Sequence, residues 1–511
     1  MSVRDELLPA DDFEAMPVSA ALERVGRLID ASVHVRQEDG LERAIKLAET
    51  LRPRLASPVD EATLDFFEAN AWRGIRELSG SESRDVWDWE QPELEKEILW
   101  LRRAAGLARA DGMPAQTACR IFTNLGNAFD TVGRFAEALR YWDQALLMAP
   151  GFSMARGNRA IGLESYGRLL YDKRHAAIFL KCAHRELRAL GPDVEPHAVA
   201  SFESMRQRIE AALTPEYLAS DFAFGRVSLG KTKAERTYRQ WCLRERLFLN
   251  SLNDVDTWQV AARDVFHLPS VVTGIDEGPY YHGFFNQMKQ EFASARYLLH
   301  SGLASRHTHF SDREVLLHNT LDYPKYGLAV EKVKLAFRAA YSLFDKMAYF
   351  LNQYFSLGIR EQDVSFRRVW YRRANRGNGL ALPFERCANL PLRGLFWVSK
   401  DLFEEKPGFR EAIEPAAGRL TEVRNHIEHR YLKVHDMMVD MPSGSADTLA
   451  YSVKCSDFEE MTITLFRLVR ASLFYLSLAV GVEERRQAEH RGPGDVVPPM
   501  FLDRFEDEWK R

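Results

Sequence analysis

The chain has 511 residues, of which 46% are hydrophobic, 11% aromatic and 28% charged; these are ordinary globular values that exclude wholesale disorder and a collagen-like fibre. Its 69 basic and 73 acidic residues give a formal net charge of −4, which excludes a nucleic-acid coat over the whole chain but not a local basic patch. The five cysteines are widely spaced without a CxxC pair, so zinc-ribbon spacing is absent and a reducing compartment is favoured.

The first six residues are charged and lack the apolar core of a secretory signal. The longest apolar run, 472–482, is about half the roughly 20 residues that a membrane-spanning helix needs. We therefore expect a cytoplasmic protein without a membrane span.

Helical periodicity dominates the N-terminal part of the chain. Apolar residues at three- and four-residue spacing predict helices over 17–35, 41–54, 62–79 and 92–110. No GxxxxGK[ST] and no strand-linked GxGxxG occurs, so P-loop and Rossmann nucleotide binding lack support.

The 34 residues from 119 to 152 are patterned as a helical hairpin. Gly126 and Ala138 are small where two antiparallel helices would cross closely, and Phe129 and Trp142 would fill the space beside the crossing. Pro150 ends the second helix because proline cannot continue the hydrogen-bond ladder. At these positions the segment resembles a tetratricopeptide repeat, with further matches at Leu125, Gly133 and Ala145.

Residues 153–186 continue this pattern weakly, as a degenerate second unit. One repeat does not bury its own apolar face, so about three or more units are expected. We predict an all-α protein whose N-terminal region, 1–215, is a tetratricopeptide-like solenoid that binds a protein or peptide.

The amino-acid composition changes after the prolines near residue 215. We predict a connecting helical region, or an extension of the C-terminal domain, over 216–320. A helical bundle follows over 321–488, and 489–511 forms a proline-containing tail.

Within that bundle, 414–436 predicts one amphipathic helix. Its apolar stripe, which should face the core, comprises Ala416, Leu420, Val423, Ile427, Tyr431 and Val434. On a wheel of about 100° per residue with Ile427 at zero, Asn425 falls near 160° and His429 near 200°, away from the core, while Arg424 falls near 60° at its edge. Gly418, Thr421 and Glu422 share the outer face.

Arg424 and His429 are separated by four residues. This spacing occurs four times, in Arg313/His318, Arg424/His429, Arg430/His435 and Arg485/His490. We select Arg424/His429 because Asn425 follows the arginine and the pair lies midway along the predicted helix; Arg430/His435 overlaps it and is the nearest competitor. Together with YRQWCLRERLFLNSLNDV, ARDVFHLPS and HGFFNQMKQEFASARYLL, the pattern resembles a bacterial HEPN lineage attached to tetratricopeptide repeats.

The resemblance implies an all-α bundle and a metal-independent endoribonuclease with catalytic residues Arg424, Asn425 and His429. In such an enzyme the RNA 2′-OH attacks the adjacent phosphate and leaves a cyclic phosphate. A histidine moves a proton, a guanidinium stabilises the phosphate charge, and Asn425 would orient His429 or contact the phosphate. Because Arg424 and His429 lie about 140° apart on the helix, two copies facing across a two-fold axis would complete the site, so we expect a homodimer.

Other interpretations remain open. HEPN domains include members that only bind nucleic acid or proteins, so a non-catalytic adaptor is the alternative function; the lineage also suggests a role in stress or antiviral defence. A purely structural helix would pair Arg424 with Glu428. Glu422, His426 and His429 lie within about 60° on the wheel, but without HExxH or a second ligand set we expect no metal and no cofactor.

The segment 366–394 is rich in arginine, with interleaved aromatic residues and one acid. This composition suits phosphate contacts and base stacking. We predict RNA contacts from Arg367, Arg368, Trp370, Arg372, Arg373 and Arg376. The alternative is a helix end whose arginines pair with Glu361 and Asp363. Asp345, a polar residue in an apolar helical run, is expected to be structural.

Overall fold

The protein is described here from a computed structural model, which describes residues 13–79, 88–274, 276–305, 307–403, 415–437, 449–492 and 496–510. The described residues are mainly helical, which confirms the all-α prediction. The helices of the N-terminal part are α1 Val18–Val35, α2 Glu38–Leu51, α3 Pro58–Ser79, α4 Pro92–Leu107, α5 Ala115–Thr131, α6 Phe135–Met148, α7 Ser153–Leu169, α8 Lys173–Arg188, α9 Pro196–Ala212 and α10 Pro215–Ala219.

The C-terminal part contains longer helices and a short sheet. Its helices are α11 Lys233–Arg244, α12 Leu252–Val255, α13 Tyr280–Ala304, α14 Leu328–Tyr354, α15 Leu390–Phe403, α16 Pro415–His429 and α17 Cys455–Glu489. Strands β1 (Tyr431–His435) and β2 (Ala450–Lys454) pair in parallel, with Tyr431 opposite Ala450 and His435 opposite Lys454.

Helices α5 and α6 form the predicted hairpin. A Cβ atom added at Gly126 would lie 2.6 Å from Nε1 of Trp142, so only glycine permits this crossing. Ala138 and Trp142 are buried beside it. Gly133 turns the chain with a φ of +84°, and α6 ends at Met148, shortly before Pro150. The next hairpin, α7–α8, covers the segment predicted as a second unit.

The N-terminal hairpins pack directly on the C-terminal helices. A Cβ atom at Gly133 would lie 2.1 Å from the Leu390 carbonyl oxygen, so the α5–α6 turn touches the start of α15. The Trp397 indole donates to the Trp89 carbonyl at 3.1 Å. One hydrophobic core accordingly runs from α3 to α17 across the predicted boundaries near 215 and 320, and a second lies among α1, α2 and α3.

Buried ion pairs join the same two parts. Asp401 on α15 accepts from Arg102 on α4 at 2.8 Å and also from Arg134, which begins the α6 turn. Lys400 on α15 pairs with Glu95 on α4. Burying charges is unfavourable unless their partners are held in place, so these contacts fix α15 relative to the N-terminal helices.

Helix α17 is long and apolar enough to cross a membrane, but 83% of its most apolar window is buried inside the protein. It therefore serves as the central helix of the core. After it, the described residues 496–510 expose their apolar side chains, including Phe501 and Trp509.

Candidate active site on helix α16

Helix α16 lies on the surface of the bundle, anchored by one face. Leu420 and Val423 are fully buried and Ile427 is half-buried, as the apolar stripe predicts. The outer positions Asn425 and His429 are exposed, also as predicted. The helix thus presents Asn425 and His429 to solvent while its other side packs against α14 and α15.

Arg424 sits where α16 meets α14. Its guanidinium carbon lies 5.7 Å from the centre of the Tyr341 ring, and its Nη1 donates to Asn425 Oδ1 at 3.1 Å. A guanidinium over an aromatic face is attracted by the ring electrons. Arg424 is therefore held half-buried at the edge of the exposed face, with its charge available to a ligand there.

A chain of hydroxyl contacts supports Tyr341. Its phenol oxygen lies 3.2 Å from Thr421 Oγ1, and Thr421 donates to the Leu402 carbonyl at 2.9 Å. Burial raises the pKa of Tyr341 to about 12, against the smaller lowering effects of the Thr421 hydrogen bond and the Arg424 charge. The prediction that Thr421 lies on the outer face is therefore wrong. Thr421 faces α14 and α15, because α14 packs against a side of α16 that carries no residue of the predicted apolar stripe.

The ion pair expected of a purely structural helix, Arg424 with Glu428, is not the one that forms. Glu428 instead pairs with Arg338 of α14, at 2.9 Å and 3.1 Å. Arg338 and Tyr341 of α14 thus contact α16 one after the other along the interface between the two helices, which we call the seam. Glu428 is engaged in this seam, which leaves the Arg424 charge for other uses.

Asn425 contacts Arg424 and not His429. Its side-chain oxygen is used by the arginine, which leaves its amide N–H groups directed to solvent or a ligand. Among the described residues no side chain hydrogen-bonds the His429 imidazole. His426 is different: Nδ1 lies 2.9 Å from the Glu422 carbonyl and its ring packs 5.1 Å from that of Tyr451.

The predicted helix 414–436 is wrong at its C-terminal end. Helix α16 ends at His429, and 431–435 form strand β1, which pairs with β2. Tyr431 and Val434 are consequently strand residues and not part of a helical stripe. His435 of the competing pair Arg430/His435 lies buried in β1, with Nδ1 3.0 Å from the Asp322 carbonyl, so this pair does not share a helix face.

The arginine-rich segment forms short 3₁₀ turns at the surface. Arg367, Arg368, Arg372, Arg373 and Arg376 are exposed. Arg372 pairs with Glu385, and Arg376 lies 4.0 Å from Glu90. Arg393, at the end of the segment, is buried, and burial lowers its pKa to about 10.

The prediction that Trp370 stacks on bases is wrong. Trp370 is fully buried among Trp89, Phe384 and Phe396, and its indole donates to the Phe366 carbonyl. The aromatic residues of this segment therefore anchor it to the core, because their apolar rings are buried with residues far away in sequence. Phosphate contact by the exposed arginines stays a prediction.

Asp345 ties this segment to the helix that supports Arg424. The backbone N–H of Phe366 donates to Asp345 Oδ1 at 3.1 Å. Asp345 lies one turn along α14 from Tyr341, an axial distance of about 6 Å. The arginine-rich segment thus begins near the Arg424 seam.

The metal alternative receives no support from the described residues, among which no group of three His, Cys, Asp or Glu side chains could hold an ion. The residues that sequence reasoning missed are Arg338 and Tyr341, and it placed Thr421 on the wrong face. The sequence placed Arg338 and Tyr341 within the predicted helical bundle but gave no sign of their contacts with α16.

Comparison with known protein families finds a match in the C-terminal part of the chain. Residues 272–483 match the family model described as LA2681-like HEPN. The match supports a HEPN domain, and the matched residues extend from just before α13 into α17 and include α16. No curated protein and no solved structure matches the chain. The family match does not cover the N-terminal hairpins, whose assignment as tetratricopeptide repeats stays a prediction.

Proposed function

We propose that the HEPN domain is a metal-independent endoribonuclease whose active site comprises Arg424, Asn425 and His429. The observation that carries the proposal is the arrangement on α16, where a guanidinium anchored on the Tyr341 ring contacts the Asn425 amide, and the exposed His429 imidazole follows one turn after Asn425 on the same surface helix. The family match supports an RNA-related role for the domain that contains them.

The chemistry requires few groups. The RNA 2′-OH attacks the adjacent phosphorus, the bond to the 5′-oxygen breaks, and a 2′,3′-cyclic phosphate remains. His429 takes the proton from the 2′-OH and returns a proton to the leaving 5′-oxygen, which becomes a 5′-hydroxyl. Arg424 stabilises the charge on the phosphate, and the Asn425 amide donates a hydrogen bond to a phosphate oxygen. The exposed arginines at 367, 368, 372, 373 and 376 would hold the RNA backbone.

The proposal includes a homodimer in which the α16 helices of two copies face each other, so that one RNA phosphate meets groups from both. With the two helices in close contact, a cysteine at Asn425 would form a disulfide across the two-fold axis, because a disulfide requires Cα atoms within about 7 Å of each other. Cysteine at the exposed Gln207 of α9 is the matched control. Cross-linking of Asn425→Cys no faster than of Gln207→Cys contradicts the facing arrangement.

In the same proposal, the N-terminal hairpins direct or restrain the nuclease by binding a protein or peptide, in a stress or antiviral response. The buried contacts of Lys400 and Asp401 with α4 and Arg134 support a mechanical connection between the two parts. The rival function is an adaptor that binds RNA or proteins without cleavage.

Incubation of the purified full-length protein with RNA in EDTA tests the proposal. We expect cleavage that persists in EDTA and falls by about 10²-fold or more in Arg424→Ala and His429→Ala. His318→Ala is the control, since His318 is exposed and belongs to an Arg-x4-His pair outside α16. Folded wild-type protein that binds RNA but cleaves none would favour the adaptor.

A further inference from the structure

A surface loop with exposed tyrosines lies beside the end of α16. Tyr323 and Tyr326 are 66% and 47% exposed. The phenol oxygen of Tyr326 lies 3.0 Å from that of Tyr431, the first residue of β1. Tyr431 follows His429 by two residues, so this aromatic surface, comprising Tyr323, Tyr326 and Tyr431, adjoins the imidazole proposed to act on RNA.

The loop is fixed to β1 by its own polar groups. The Asp322 carboxylate accepts from Lys433 at 2.6 Å, and its carbonyl lies 3.0 Å from His435 Nδ1. The backbone N–H of Lys325 donates to the Val434 carbonyl at 2.7 Å. Lys433 and His435 are both at most 5% exposed, so the loop is anchored by buried contacts.

The backbone of the loop is strained on both sides of this anchor. Leu321 has a φ of +66° and Tyr323 a φ of +51°. This left-handed region is unfavourable for residues with a Cβ atom and persists only where the surroundings enforce it. The anchor at Asp322 thus holds Tyr323 in an exposed position that the free chain would rarely adopt.

The charges around the tyrosines suit an anion. Arg430, between His429 and Tyr431, is exposed, and its side chain has no partner among the described residues. Lys433 Nζ lies 5.3 Å from the centre of the Tyr431 ring. The nearby acids Asp322 and Asp436 are already paired, with Lys433 and Lys325 respectively, which reduces their repulsion of a phosphate.

We propose that Tyr323, Tyr326 and Tyr431 form a stacking subsite for an unpaired RNA base next to the scissile phosphate, with Arg430 holding the adjoining phosphate. Every base offers a π-face to a tyrosine ring, whereas bases inside a duplex are inaccessible to it. The subsite therefore selects single-stranded RNA without demanding one sequence. It deepens the proposed ribonuclease function and supplies the stacking surface that the buried Trp370 does not.

Binding of a non-cleavable ligand tests the subsite separately from catalysis. The probe is a single-stranded 2′-O-methyl RNA that carries 2-aminopurine, a base whose fluorescence is quenched by stacking; methylation removes the attacking hydroxyl. We expect quenching with the full-length wild type, and affinity weakened about 5- to 150-fold in Tyr326→Ala or Tyr431→Ala, the range of one base–aromatic stack. Tyr326→Phe, which keeps the ring, should bind nearly as the wild type does.

Tyr280→Ala is the matched control, since Tyr280 is 68% exposed on α13, outside this loop. The proposal is overturned if Tyr323→Ala, Tyr326→Ala and Tyr431→Ala all bind as Tyr280→Ala does, or if duplex RNA binds as tightly as the single strand. Tight, quenched binding by a wild type that cleaves no unmodified RNA would overturn the ribonuclease proposal and leave the subsite standing.

Discussion

Arg424 lies with its guanidinium carbon 5.7 Å from the centre of the Tyr341 ring. The two residues belong to different helices, α16 and α14, and Tyr341 is buried while Arg424 is half-buried. The ring therefore fixes the arginine at the edge of the exposed face where we place the chemistry. Tyr341 itself is a positioning residue, because it touches Arg424 and not the proposed phosphate.

Replacing the Tyr341 ring should impair turnover more than RNA binding. We expect Tyr341→Leu to lower kcat about 10-fold with little change in KM, because a cation–π contact contributes roughly 0.5–2 kcal/mol. Tyr341→Phe keeps the ring and should retain most activity. Tyr349→Leu, on the same helix but two turns away, is the control. Equal kcat values for Tyr341→Leu and Tyr349→Leu would show that the ring does not position Arg424.

Neutralising Asp401 should destabilise the whole protein. Asp401→Asn leaves the buried Arg102 and Arg134 without their shared carboxylate, and losing one partner of a buried pair costs about 3–5 kcal/mol. Urea unfolding measures the change. The comparison is Glu428→Gln, which breaks a pair with the 46%-exposed Arg338 side chain and should cost about 1 kcal/mol or less. Similar losses in both variants would mean that α15 is not held by Asp401.

A methyl group at Gly126 should disrupt the α5–α6 hairpin. The added Cβ would meet the Trp142 indole at 2.6 Å, and overpacking of this kind costs about 1–3 kcal/mol. Gly106→Ala is the control, because a Cβ atom at Gly106 in α4 would have nothing within 4 Å. This substitution removes a flexible glycine from a helix and should stabilise the protein by about 0.5–1 kcal/mol. Thermal unfolding should show a lower stability for Gly126→Ala than for Gly106→Ala. A Gly126→Ala variant as stable as the wild type would contradict the close crossing of α5 and α6.

The Asp130 carboxyl should make stability depend on pH. Burial raises its pKa from 3.8 to about 6, and its Oδ1 is buried without a hydrogen-bond partner. The folded state thus holds this proton more tightly than the unfolded state, so stability falls as pH rises between about 4 and 6. Asp130→Asn removes this loss. The stability of the variant relative to the wild type should therefore be roughly 2 kcal/mol greater at pH 7 than at pH 4. Parallel stability curves for wild type and variant would exclude the effect.

Local patterns predicted much of the fold. The spacing of Gly126 and Trp142 was enough to place a helical crossing, because both belong to one hairpin. Leu420 and Val423 likewise identified the buried stripe of α16. Exposure of Asn425 and His429 followed from the same periodicity.

Features that depend on distant residues were not predictable in this way. The helix ends at His429 because 431–435 pair with 450–454, which come later in the chain. Tyr341 and Thr421 meet although 80 residues separate them. The arginine-rich neighbours of Trp370 suggested a stacking role. Packing excludes that role, because Trp370 is buried against Trp89 of the N-terminal part.

The chemical ends of the RNA products test the central claim most directly. With wild-type protein in EDTA, mass spectrometry should find 2′,3′-cyclic phosphates, and a single 2′-deoxy nucleotide 5′ to the scissile phosphate should block cleavage at that position. His429→Ala should form no cyclic phosphate. Cleavage across the 2′-deoxy position, or products that carry 3′-hydroxyl and 5′-phosphate ends, would contradict 2′-OH attack assisted by Arg424 and His429.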